Sequence, residues 1–205
     1  MKHVNELINR YPALSNCRTE IEYAINSIVS MHKAGGALLL CGNGGSSADC
    51  EHISGELLKG FLKKRPLTAD NCTNIPEHIA NKLQGGVKAI PLTSLSALST
   101  AFSNDVDAEM VYAQLTYVFG SEKDLLWAIS TSGNAKNVCA AAEVAIAKGM
   151  KSIGLTGLGG GRLSELCDCV IRVPETETYK IQELHLPVYH AICAEVEEII
   201  FTEDN

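Results

Sequence analysis

The chain has no CxxC pair, no basic cluster beyond Lys63-Lys64-Arg65, and no apolar run that approaches the length of a membrane span. Each absence removes a class of function. Eight cysteines, Cys17, Cys41, Cys50, Cys72, Cys139, Cys167, Cys169 and Cys193, are scattered through helix-like and strand-like segments of a 205-residue chain. A disulfide framework belongs to small secreted chains, and no second pair flanks Cys167-x-Cys169 to complete a zinc–thiolate site. Reduced, mostly buried thiols in the cytosol are therefore expected. A net charge of −7 with so little concentrated base argues against nucleic acid or a membrane surface as partner. The opening Met1-Lys2-His3-Val4-Asn5-Glu6 lacks the apolar centre of a signal peptide, which points to the cytoplasm. Neither the GxxxxGK[ST] spacing of a P-loop nor the GxGxxG of a dinucleotide fold occurs, which disfavours a nucleotide ligand.

What is present is a pattern of strands alternating with helices. Hydrophobic residues make up 46% of the chain, enough for one domain with a sizeable core. Residues about 2–33 read as helical, with Ile21, Ala24, Ile25, Ile28 and Val29 at helical spacing and Gly35-Gly36 as the stop. Such a lead-in, residues 1–35, is longer than one sheet face needs and is expected to pack in an oligomer. Strands are expected near 37–41, 89–92, 124–129, 152–156 and 170–173. Pro91 places the start of the second of them, or a sheet edge, there. Helices are expected to about residue 60, over 95–102, 107–119 and 135–148, and from 178 to 201. Residues 62–87, punctuated by Pro66, Asn71, Asn74, Pro76 and Gly85-Gly86, read as an inserted loop with a short helix around 78–83. The alternation predicts a doubly wound α/β fold around a parallel sheet, with ligands beyond the carboxyl ends of the strands.

Two turns at that edge carry chemistry. Gly42-Asn43-Gly44-Gly45-Ser46 follows the first strand and opens a helix, so free backbone N–H groups and the helix dipole favour an anion there. Ser130-Thr131-Ser132-Gly133-Asn134 follows the third strand and offers three hydroxyls at another helix start. One such turn is an ordinary cap; two at one sheet edge favour a phosphorylated small ligand. Further along the first of these helices, His52 and Glu56 share a face at i, i+4. In the last helix stand Gln182, His185 and His190, with Pro187 between. Two imidazoles, a carboxylate and an amide oxygen would suit zinc or a similar divalent ion. Taken singly, each histidine reads as a surface or satisfied residue.

Cys41-Gly42-Asn43-Gly44-Gly45-Ser46, His52-x-x-x-Glu56, Asn104-Asp105, Ile129-Ser130-Thr131-Ser132-Gly133-Asn134, Leu155-Thr156-Gly157 and Ile181-Gln182-Glu183-x-His185 together resemble the sedoheptulose 7-phosphate isomerase (phosphoheptose isomerase) family of the SIS domain group. The resemblance covers nearly the whole chain. It implies a single SIS domain over 1–205 with a flavodoxin-like five-stranded parallel sheet. It implies a homotetramer with active sites between subunits. Asn43, Gly44, Gly45, Ser46, Glu56, Asn104, Asp105, Ser130, Thr131, Ser132 and Gln182 would bind substrate. His52, Glu56, Gln182 and His190 would hold one zinc ion per site. Glu56 would be the base and His190 the acid of an aldose–ketose isomerisation. The product would be a heptose 7-phosphate, D-glycero-D-manno-heptose 7-phosphate, for surface polysaccharide.

Three departures from the family pattern bear on the choice of sugar. Ala135 stands where another phosphate-binding serine is common, Tyr179 where an acidic residue is common, and residues 62–87 are longer than in the best-known members. Two other functions fit the same turns: a non-catalytic regulator that binds a replication-initiator protein, and a sugar-phosphate sensor. The presence of both Glu56 and His190 argues against the first, and the absence of a DNA-binding helix-turn-helix segment against the second.

Overall fold

A computed structural model describes residues 1–68 and 73–201; Asn71 and Cys72 of the expected insertion lie outside the described residues. The lead-in is two helices, α1 (Lys2–Arg10) and α2 (Arg18–Lys33), joined by a 3-10 turn over Pro12–Cys17. Pro12 has no N–H to continue α1 and begins the turn instead. Val4, Leu14, Ile21, Ala24, Ile25 and Ile28 are fully buried. The apolar stripe of the lead-in is thus covered by its own chain, against β5 (Cys169–Arg172) and the long helix α9 (Thr178–Ile200). Only its outer, largely polar face is left for another subunit.

The five strands are parallel in the order β2-β1-β3-β4-β5, with β1 at Leu38–Gly42, β2 at Ala89–Pro91, β3 at Leu125–Ile129 and β4 at Lys151–Thr156. β1 and β3 are paired from Leu38 opposite Leu125 to Gly42 opposite Ile129. Their side chains alternate between two cores. Leu38, Leu40, Leu125, Trp127 and Ile129 pack under α1, α2, α9 and α3 (Gly45–Leu58). Leu39, Cys41, Leu126 and Ala128 pack under α6 (Val111–Phe119) and α7 (Lys136–Ala147). A sheet covered on both faces needs apolar residues at every position, which is why these strands read as unbroken hydrophobic runs. β2 is an edge strand, one of the two placements that Pro91 left open. The chain leaves β1 for β2 on one side and returns to β3 on the other, so the loops after β1 and β3 part over a crevice.

Two elements differ from expectation. The helix expected from residue 107 begins at Val111, because Asp107 is extended (φ −164°) and its carboxylate accepts from the Glu109 amide at 2.8 Å. Ahead of it, α5 (Ser96–Phe102) and the turns to Met110 form an arm with no buried residue. Within 62–87, the helix is one turn, α4 (Glu77–Ala80), opened by Pro76. The base of that excursion is closed. Arg65 and Glu197 form a buried pair at 2.8 Å, and Gly85 N–H donates to the Arg65 carbonyl at 2.7 Å. Arg65 also donates to the Leu57 and Glu56 carbonyls, which satisfies the last turn of α3. The short helix α8 (Leu163–Leu166) precedes β5.

Candidate active site

The site begins where β1 ends. Gly44 has φ +56° and ψ −120°, open to glycine and costly for other residues, and it turns the chain sharply into α3. At Gly45 the constraint is space: a Cβ would lie 2.6 Å from the Gln182 amide nitrogen. The absence of a side chain therefore lets α9 bring Gln182 onto the turn. After β3, the Gly133 N–H closes on the Ser130 carbonyl at 3.0 Å, and the Asn134 N–H donates to Ser132 Oγ at 3.1 Å. The N–H groups of Thr131 and Ser132 find no acceptor among the described residues. Ala135, at the N-cap of α7, supplies no side-chain cap. At the loop after β3, N–H groups and the exposed Ser132 hydroxyl thus remain available to an anion, whereas after β1 the Ser46 and Ser47 N–H groups donate to the Asn43 and Gly44 carbonyls at 3.0 Å, and Ser46 and Ser130 are buried.

The two loops are clasped. Asn43 and Asn137 exchange both amide hydrogen bonds, at 2.8 and 2.9 Å, across the crevice between β1 and β3. The arm spans the same edge. Ser94 donates to Glu51 of α3 at 3.0 Å, and Lys136 of α7 pairs with Glu109 at 2.9 Å. Asn104 and Asp105 sit exposed on the arm and bond to each other at 2.8 Å. The Tyr112 hydroxyl donates to the Gly42 carbonyl at 2.7 Å, fixing the arm's return helix to the end of β1.

Two helical turns along α3 lies the second cluster. His52 Nε2 stands 3.2 Å from Glu56 Oε1 and 3.3 Å from His190 Nε2. The helices α3 and α9 therefore bring together residues 138 positions apart. Donor atoms bound at about 2.0–2.2 Å to one tetrahedral zinc lie about 3.3–3.6 Å from each other. The separations of Glu56 and of His190 from His52 are near that value. No three His, Cys, Asp or Glu side chains among the described residues are already gathered closely enough to hold one. Gln182 lies with Gly45, and the eight residues to His190 are about 12 Å along the helix axis. Burial, together with His52 and Arg10, pushes the His190 ring below its ordinary pKa against the pull of Glu56. Phe61 flanks that ring at 5.6 Å, and a cleft of about 320 Å³ between α1 and α9 has His190 in its wall.

His185 has a different setting. It is fully buried on α9, and burial pushes its pKa down to about 4, with the Thr156 backbone pulling the other way. Neither ring nitrogen reaches a partner in hydrogen-bond geometry among the described residues. Sequence reasoning missed Asn137, Asp49, Tyr189 and the Arg65–Glu197 pair. Asp49 had a signal, being three residues before His52 on one helix face. The others are set by contacts between distant elements and had none.

The chain matches the SIS domain family over residues 2–157. It is 36% identical to the phosphoheptose isomerase of Rhodospirillum rubrum over 91% of this chain and 89% of that protein. It is 38% identical to the phosphoheptose isomerase of Aneurinibacillus thermoaerophilus, over 88% of this chain and 82% of that one. Among solved structures, a phosphoheptose isomerase from Neisseria gonorrhoeae superposes with a TM-score of 0.77 at 28% identity, covering 96% of each chain.

Proposed function

The chain belongs to the phosphoheptose isomerase family of SIS domain proteins, and we propose that it converts sedoheptulose 7-phosphate to a heptose 7-phosphate through an enediolate, for surface polysaccharide precursors. The observation that carries this reading is His52 Nε2 at 3.2 Å from Glu56 and 3.3 Å from His190, on a helix whose other end is the glycine turn. From Gly45 to His52 the helix rises about 10 Å, the reach of an extended C6–C7 sugar phosphate. Its phosphate would lie on Asn43, Gly44, Gly45, Ser46, Ser130, Thr131 and Ser132. Asn104, Asp105 and Gln182 would meet its hydroxyls, and its first carbons would lie at Glu56 and His190.

The chemistry follows from those two groups. Glu56 removes a proton from C1 and His190 delivers one to C2, while the O1 proton passes to O2, so that the carbonyl moves from C2 to C1. Zinc, held by His52, Glu56, Gln182 and His190, would supply Lewis-acid stabilisation of the enediolate oxygens. An oxygen bound to an ion is a weaker base, so Glu56 would act through its other carboxylate oxygen, and His190 would deliver its proton from the ring nitrogen left unbound. The presence of both acid and base favours an enzyme over a regulator of the same fold.

The protein is further proposed to be one domain that works as a cytoplasmic homotetramer, with active sites between subunits. Leu95, Leu98, Val106 and Met110, all exposed on the arm, support burial of that arm by a neighbouring subunit. The test is incubation of purified protein and zinc with a panel of C5–C7 ketose phosphates, products being resolved by NMR. Turnover of sedoheptulose 7-phosphate above the others is expected. No isomerisation of any ketose phosphate would overturn the reading.

A further inference from the structure

Behind His52 lies a chain of hydrogen bonds that the isomerase chemistry does not use. The Tyr189 hydroxyl donates to Asp49 Oδ1 at 3.1 Å, and the same oxygen is 3.0 Å from His52 Nδ1. Tyr189 is 1% exposed and meets the His52 ring edge-on, with centroids 5.5 Å apart. A carboxylate has only lone pairs to offer, and a phenol has one hydrogen. With Asp49 ionised, that hydrogen goes to it, so toward His52 the Tyr189 oxygen accepts and Nδ1 carries the proton. A neutral ring protonated at Nδ1 is bare at Nε2, the nitrogen that faces Glu56 Oε1 at 3.2 Å and His190 Nε2 at 3.3 Å. His190 Nε2–H can donate to that bare nitrogen, but toward Glu56 Oε1 two lone pairs are opposed and repel unless a positive centre lies near both.

We propose that Tyr189 and Asp49 are positioning residues that hold His52 as its Nδ1–H tautomer and turn the Nε2 lone pair into the site. Neither touches the substrate or a bound ion; they act through His52. A second partner that fixes the tautomer of a ligating imidazole raises metal affinity, and removing such a partner lowers affinity by about 10- to 100-fold. The ligand part of this inference rests on the proposed zinc role; the tautomer part does not.

Tyr189→Phe keeps the buried ring and deletes the oxygen. Asp49→Ala removes the acceptor, so the Tyr189 hydrogen turns to His52 Nδ1 and drives the ring toward the Nε2–H form. The first measurement is nitrogen NMR of the ¹⁵N-histidine-labelled, metal-free protein at a pH where His52 is neutral. A protonated Nδ1 and bare Nε2 are expected in the wild type, with the population shifted in both variants. A wild-type ring protonated at Nε2 overturns the proposal. The second is zinc affinity by competition with a chromophoric chelator, with melting curves as the control for folding. Each variant should bind zinc about 10- to 100-fold more weakly while melting like the wild type. Wild-type zinc affinity in both variants also overturns it. If the wild type binds no zinc, the metal reading falls, and the tautomer of the metal-free ring alone decides this one.

Discussion

The two ends of α3 are built from different materials. At its start, the donors are backbone N–H groups and short hydroxyls, held by loops that leave adjacent strands and are clasped by Asn43 and Asn137. Two turns later, the groups are the side chains of His52, Glu56 and His190, carried by two helices and steered by Tyr189, Asp49 and Phe61. A backbone cradle tolerates exchange of most side chains but not of a glycine such as Gly45, whose missing Cβ makes room for Gln182. A side-chain cluster depends on single atoms. Binding and chemistry should therefore separate when each end is altered alone.

The largest separation is expected at the chemical end. Glu56→Gln and His190→Gln should each lower turnover by about 10²–10⁴, the range for a general base or acid, while sugar-phosphate affinity stays near wild type. The double variant should lose less than the product of the two, because both groups serve one proton-transfer sequence. Steady-state kinetics with an equilibrium binding measurement decide it; a large loss of affinity in either variant would merge the two ends.

The next effect tests whether one core holds both ends, through His185, which lies between Gln182 and His190. The folded ring takes its proton only below about 4, against an ordinary 6.5. Between these values the unfolded chain binds more protons, so stability is fully present above about pH 6.5 and is lost as pH falls toward 4. The loss should approach about 3 kcal/mol. Urea melts across that range measure it, and His185→Leu should flatten the dependence.

Thr131→Val keeps shape and removes one donor at the cradle. A hydrogen bond to a charged group is worth about 1.5–3 kcal/mol, so KM for the sugar phosphate should rise about ten- to a hundredfold with kcat largely kept. The smallest effect is expected from Asn137→Ala, which opens the clasp without touching the site. About 1 kcal/mol, a several-fold rise in KM, is anticipated, with kcat unchanged. A fall in kcat equal to that of Glu56→Gln in either variant would break the comparison.

The strand and helix pattern was legible because buried parallel strands must be apolar throughout and covering helices must repeat at their own period. Leu38–Cys41, Leu125–Ile129 and the glycine turn announced themselves on those grounds. The edge position of β2 was one of two placements that Pro91 left open, and the sheet order settles it. Less legible was the segment 107–110, where a side-chain cap at Asp107 overrode a helical pattern. The helical stripe of the lead-in is plain in the sequence, but that α9 and β5 of the same chain cover it is not, because an isolated sequence does not reveal which element meets which.

The sequence by itself determined the cradle: turn, cap and dipole are local, and the residues that make them are neighbours in the chain. It also set His52 and Glu56 on one face, since a helix fixes that spacing. Only the tertiary structure decided that His190 meets them, that Gln182 rests on Gly45, and that Tyr189 and Asp49 stand behind His52. Those contacts join α3 to α9 across more than a hundred residues, and their geometry comes from how two helices pack on one sheet face, a property of the folded whole.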